Sequence, residues 1–338
     1  MPTTPRHGRL CGEWKGKMRA WAGLCVLLVL WGSPAGARTP ETAASSAQCL
    51  TYQRGDGGSP VIEAFVEGRG KPHGPFFLVL DTAASGTTLD ERTIQDLGLQ
   101  RDVQTETAQG MGGSRDVRLF RVPSLRAGPR VLRDFTVVEI PAPAFASHPV
   151  VGLAGVDLFG STLAAWNGED GCVTISSGGA APAGRGWRRI DVRWVRPWKI
   201  MLPVRIGGVR GWGLLDTGSQ HTVLNPAFAR RLGLTEGAGR LDDGGALEGV
   251  DGRSLPLSRA EIGPVRVGLW RWKRRVLRVG DLPVFERLGD PATPLAVIGS
   301  DWLAGRSFAV DYGGERVWQR SSGERRKSPR SGRDGVQQ

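Results

Sequence analysis

The sequence predicts an all-β protein of two pseudo-symmetric lobes, each with a short helix after an Asp-Thr loop. The observations behind this are an internal repeat, short apolar runs separated by glycine-rich segments, and a Ser/Gly/Ala/Pro spacer between the two copies. "FFLVLDTAASGTTLD" (76–90) aligns without a gap with "GWGLLDTGSQHTVLN" (211–225). The offset is 135 residues (216 minus 81), so Asp81, Thr82, Thr87 and Leu89 fall on Asp216, Thr217, Thr222 and Leu224. The same offset carries Leu97-Gly98-Leu99 onto Leu232-Gly233-Leu234.

Each copy reads the same way. The apolar runs Phe77 to Leu80 and Trp212 to Leu215 are short buried strands that lead into the loops. A helix follows each loop, capped by Asp90 in the first copy and by Asn225 with Pro226 just inside it in the second. Gly98 and Gly233 stop these helices in matching places. Glycine-rich segments come next, with Gly110, Gly112 and Gly113 in the first half and Gly244 and Gly245 in the second. Strand-like "FTVVEI" and "RRVLRV" follow. Each half closes on a shared pattern, Leu153-Ala154-Gly155-Val156-Asp157-Leu158 matching Val297-Ile298-Gly299-Ser300-Asp301-Trp302, and then a terminal strand from Cys172 or Arg316. The lobes are drawn at residues 50–175 and 187–319, with residues 176–186 as linker.

The chain ends read differently. Five basic residues precede an apolar run from Ala20 to Trp31 and an Ala35-Gly36-Ala37 site, the pattern of a secretory signal over residues 1–37. A membrane anchor needs about 20 apolar residues, more than this run offers. The expected location is therefore secreted or periplasmic, with no stable membrane insertion after cleavage. The formal charge of +12 is divided along the chain. Residues 1–37 carry a net +4 and residues 320–338, a Ser/Gly/Arg-rich tail, another +4, which leaves +4 for the body. The tail reads as a disordered, solvated end and the charge as no nucleic-acid footprint. "GLWRWKRRVLRV" interleaves aromatic and basic residues, and is read as an exposed alternating strand.

Two cysteines, Cys49 and Cys172, remain after signal removal, an even number in a compartment where disulfides persist. No Cys-x-x-Cys, His-Glu-x-x-His or G-x-S-x-G spacing occurs, so neither a zinc site nor a serine nucleophile is indicated, and no cofactor is expected. An aspartyl-phosphate enzyme would need the Lys of an Asp-Lys-Thr-Gly loop or a phosphate cradle, and the sequence has neither.

Asp-Thr-(Gly/Ala)-(Ser/Ala) after an apolar strand, a Thr six residues past the Asp, a glycine-rich flap and a late apolar-apolar-Gly pattern resemble the aspartic proteases, specifically the bacterial, single-chain, two-lobed retropepsin-like branch. The resemblance spans roughly Leu50 to Gln319. It implies that Asp81 and Asp216 form the catalytic pair and that Thr82, Thr217, Ala83 and Gly218 brace the loops. Gly155 and Gly299 would lie in supporting turns, and Gly110, Gly112, Gly113, Gly244 and Gly245 in flaps. Tyr52 and Tyr312 lie outside the glycine-rich segments, so the flap tyrosine of pepsin-type enzymes has no counterpart. The first loop departs from the family pattern at Ala83, where Gly is usual. Because the chain ends of such a lobe pair side by side, a disulfide between Cys49 and Cys172 is expected to close the first lobe.

The chemistry explains the doubling of the motif. Hydrolysis without metal or covalent intermediate needs one group to take a proton from water and another to give one to the carbonyl oxygen. Two carboxylates about 4 Å apart at an effective dielectric near 20 repel by roughly 4 kcal/mol, about three pKa units, so the pair retains one proton. The expectation is a monomeric aspartic endopeptidase that acts on peptide or protein substrates. The competing reading is an inactive, protease-like, peptide-binding protein.

Overall fold

The computed structural model describes residues 48–195, 198–235, 240–248 and 253–321. The stretch 1–37, where a signal is expected, lies outside the described residues, as does the basic tail beyond Ser321. Among the described residues, no helix is long and apolar enough to cross a membrane.

The protein is predominantly β, built as two lobes on a shared sheet. That sheet has six strands in the order Gln48–Thr51, Cys172–Ser176, Leu163–Asn167, Phe308–Asp311, Arg316–Arg320 and Trp187–Ile190. The first three come from the first copy and the last three from the second. The copies meet where Leu163–Asn167 pairs antiparallel with Phe308–Asp311. Trp166 stacks on Phe308 across this junction, with ring centroids 4.7 Å apart. Arg320, placed by the sequence at the start of the tail, ends a strand and pairs with Trp187.

Cys49 and Cys172, on neighbouring strands with Cα atoms 5.8 Å apart, are joined by a disulfide. The bond clips the outermost strand of the first lobe to the shared sheet.

Each lobe adds its own sheet. In the first, the strands Pro60–Gly68 and Lys71–Leu80 form a hairpin, and the latter pairs in parallel with Val150–Ala154. In the second, Lys199–Ile206 and Val209–Leu215 form the matching hairpin, and the latter pairs in parallel with Leu295–Ile298. The last residues of both incoming strands, Leu78 to Leu80 and Gly213 to Leu215, are buried, as short apolar runs packed on both faces require.

Local chemistry sets the helices. Asp90 accepts a hydrogen bond from the Thr93 N–H at 2.7 Å at the head of Glu91–Leu97, and Gly98 ends it in the left-handed region at φ 61°. Asn225 caps Pro226–Arg231 through the Phe228 N–H at 2.9 Å, and Gly233 follows at φ 68°. The segment from Leu269 to Val279 differs from the single exposed strand read from its sequence. It breaks into Trp270–Trp272 and Arg275–Val279, and Trp270 is 1 % exposed. The indole of Trp270 packs edge-on to Phe308, while the Arg275 and Arg306 guanidiniums flank the Trp272 ring. Burial of the aromatic ring outweighs the alternation suggested by the arginines.

Candidate active site

The two parallel strand pairs deliver Asp81 and Asp216 to the same place. The Asp81 N–H donates to the Ala154 carbonyl at 2.9 Å and the Asp216 N–H to the Ile298 carbonyl at 3.2 Å, so each loop leaves its sheet from an equivalent anchor. The two carboxyl groups lie close enough to shift each other's ionisation. They are 9 % and 4 % exposed.

Thr82 and Thr217 lock the loops together. The Thr82 hydroxyl donates to the Leu215 carbonyl at 2.8 Å, and the Thr217 hydroxyl donates to the Leu80 carbonyl at 2.6 Å. Each hydroxyl also accepts the other threonine's backbone N–H at 3.1 Å. Both hydroxyls and both threonine amides at this buried junction are thus matched across the lobes, as a site away from water demands.

Backbone amides aim at the carboxylates. Asp81 Oδ1 accepts from the N–H groups of Ala83 at 2.7 Å and Ala84 at 3.1 Å, and Asp216 Oδ1 accepts from the Ser219 N–H at 2.8 Å. Gly218 passes so near that a Cβ on it would lie 2.5 Å from Asp81 Cγ and Oδ2. The corresponding position in the first loop carries a methyl group without conflict. Ala83 packs against an apolar cluster of the second lobe that includes Met201, Leu214 and Phe285.

A second layer supports the loops. The Val156 N–H donates to the Ala84 carbonyl at 2.9 Å and the Ser300 N–H to the Ser219 carbonyl at 2.8 Å. The preceding glycines leave no room for a side chain, since a Cβ on Gly155 would lie 2.6 Å from the Gly86 carbonyl oxygen and one on Gly299 2.6 Å from that of His221. Next to them, Asp157 accepts from the Thr87 N–H and hydroxyl at 2.8 and 2.9 Å, and Asp301 from the Thr222 hydroxyl at 2.8 Å. These two aspartates stood in the shared pattern of the sequence, but only the structure shows what they hold.

The glycine-rich segments take different places. Gly110 and Gly113 pair at the tip of a long hairpin formed by Gln100–Gly110 and Gly113–Ala127, with Met111 and Gly112 in the turn. Met111 rests on the same second-lobe cluster as Ala83. The tip's carbonyls are held from that lobe: Gly110 and Gly113 by Arg287 at 3.3 and 3.4 Å, Gly112 by Arg253 at 3.1 Å, Met111 by the Val284 N–H at 3.4 Å. Gly244 and Gly245 instead make a bulge within the strand Asp242–Glu248, which pairs with Ser254–Ile262. Residues 249–252, between these strands in sequence, lie outside the described residues.

Lys199, not singled out in the sequence, begins the first strand of the second lobe's hairpin. Its ammonium group donates to the Ala83 carbonyl, inside the loop that carries Asp81. Its only sequence signal is a charge at the head of the otherwise apolar run Ile200 to Val204.

Burial governs the electrostatics. Removal from water raises the Asp81 carboxyl above the usual range, opposed by the Ala83 and Ala84 amides and the Lys199 charge. Burial and then the adjacent Asp81 charge push Asp216 up to about 8, against the pull of Ser219 and Lys199. The pair therefore holds a proton at neutral pH. Among the described residues, no cluster of His, Cys, Asp and Glu could hold a metal ion.

Each lobe thus brings one buried aspartate to a loop that paired threonines fix to the other, and this pair is the candidate site. A family model described as aspartyl protease matches residues 66–158 and 202–302, more than half of the sequence and both lobes, and the chain belongs to this family. No curated protein matches the sequence significantly.

Proposed function

We propose that the protein is an active aspartic endopeptidase in which Asp81 and Asp216 together activate water. The observation that carries this reading is the pair of buried carboxyls on loops locked together by Thr82 and Thr217, with amides aimed at both members and a proton retained at neutral pH. The ionised member takes a proton from water as its oxygen attacks the peptide carbonyl, and the protonated member gives its proton to the carbonyl oxygen. The C–N bond of the resulting tetrahedral diol then breaks, with a proton passed to the departing amine. Substrate lies extended between the lobes under the Gly110–Gly113 hairpin tip, its backbone paired as an added strand. The Cys49–Cys172 disulfide is in keeping with action in an oxidising compartment, outside the cytoplasm.

The test is turnover of a peptide library by wild type, Asp81→Asn, Asp216→Asn and the double variant over a dilution series, with folding checked by circular dichroism. Each single change is expected to reduce kcat by about 10³-fold or more, and the double variant to be scarcely worse, because the pair acts as a unit. Substantial turnover in either single variant would overturn the reading.

A further inference from the structure

The dyad has a cation beside it that the two-carboxylate chemistry does not itself require. Lys199 reaches from the second lobe into the first lobe's loop, where its ammonium donates to the carbonyl of Ala83. Ala83 also gives its N–H to Asp81 Oδ1, so one residue ties the ammonium and the carboxylate to the same short stretch of backbone. The side chain is half-buried, and its charge acts on both Asp81 and Asp216. Burial lowers the lysine's own proton affinity and the two aspartates raise it.

We propose that Lys199 is a positioning residue of the dyad, supplying the fixed positive charge that makes the singly ionised pair the stable state and sets the pH range in which that pair exists. This rests on the reading of Asp81 and Asp216 as the catalytic pair. A buried pair with one negative charge is costly by itself, whereas with an adjacent ammonium the group as a whole is neutral. The cation favours each ionisation of the pair, so its presence lowers the pH at which the first proton leaves and also the pH at which the second does.

The other charged and titratable groups around it do not supply this effect. Arg287 faces Lys199 from the helix Val284–Leu288 and donates to the carbonyls of Gly110 and Gly113, whereas the cation that acts on Asp81 and on Asp216 is Lys199. Tyr312, fully buried and facing Asp81, has its hydroxyl held protonated by burial and then by the Asp81 charge. Lys199 is thus the cation whose charge reaches both carboxylates.

The test compares wild type with Lys199→Gln, which removes the charge and keeps a donor for Ala83, and with Lys199→Arg, which keeps the charge. Two readouts are taken: the pH profile of kcat/KM on a peptide substrate, and titration of the aspartate carboxyls by ¹³C NMR. In Lys199→Gln both limbs of the profile and the dyad resonances are expected to move up by about one pH unit, with Lys199→Arg close to wild type. A uniform fall in rate with unmoved limbs and unmoved resonances would mean that Lys199 only props the Ala83 loop, and the proposal fails. If wild type cleaves no peptide, the peptidase reading fails by itself, and the NMR titration still decides the role of Lys199. Should Lys199→Gln not fold, Lys199→Met is titrated in its place, with the same criterion.

Discussion

Thr82 and Thr217 lie 135 residues apart in sequence and exchange identical hydrogen bonds, each backbone N–H donating to the other's hydroxyl at 3.1 Å. Each hydroxyl also serves the carbonyl before the opposite aspartate, Leu215 or Leu80. Replacing Thr82 with Val keeps the shape and strands the Leu215 carbonyl and the Thr217 N–H in a buried site. Thr82→Val is expected to lose about 2–4 kcal/mol of stability in chemical denaturation and most of its turnover. Thr82→Ser, which keeps the hydroxyl, should retain much of both.

The loops are not interchangeable at their third position. Ala83 has room for its methyl group against the second lobe, whereas a Cβ at Gly218 would meet Asp81 Cγ at 2.5 Å. Gly218→Ala must therefore displace the carboxylate or part the loops, and a loss of about 10²-fold or more in kcat/KM is expected, since displacements near 1 Å cost that much. Ala83→Gly should leave kcat/KM within a few-fold of wild type. Equal effects from the two substitutions would contradict the asymmetry.

The hairpin tip is held down from the second lobe by Arg287 through two carbonyls. Arg287→Met should loosen the tip, which Arg253 and the Val284 N–H still hold, and leave the sheets intact. The expected outcome is faster hydrogen exchange at residues 111–114, read by mass spectrometry, with a thermal midpoint within about 2 °C of wild type.

The Asp216 proton links stability to pH. Its value rises from 3.8 to about 8 on folding, so the folded chain binds this proton more tightly than the unfolded chain. The stabilisation is fully present below about pH 4 and is lost as pH rises through about 8. Asp216→Asn, which never ionises, should therefore melt near wild type at pH 4 and higher than wild type at pH 9, by about 5 °C or more. A melting difference that does not widen with pH would refute the linkage.

The two aspartates, their threonines and both helix caps were legible because the repeat is local: strand end, loop and helix cap fall within fifteen residues (76–90 and 211–225), and each residue type meets a requirement of its own backbone. The shared strand pairing of Leu163–Asn167 with Phe308–Asp311 left no such mark, because register between distant segments depends on packing that no short window records. Lys199, Arg253 and Arg287 were missed for a related reason. Their partners are backbone carbonyls of the other lobe, and a carbonyl has no signature in a sequence. Gly244 and Gly245 show how little glycine alone says about local geometry, since it marks a bulge as readily as a turn, and here the bulge falls between Asp243 and Ala246.

The bond between Cys49 and Cys172, 123 positions apart in sequence, closes this stretch of chain into one covalent ring. Asp81, Ala83 and the whole Gly110–Gly113 tip lie inside that ring; Asp216 and Lys199 lie outside it. A nick by another peptidase, or by a second copy of this one, at an exposed site such as Val103 would open the ring without releasing a fragment. The cut molecule would migrate as an intact chain until a reductant separated its pieces. Damage to the half of the candidate site that carries Asp81 would thus be hidden from any assay of size made without thiol, and the two lobes would stay at the effective concentration of a single molecule.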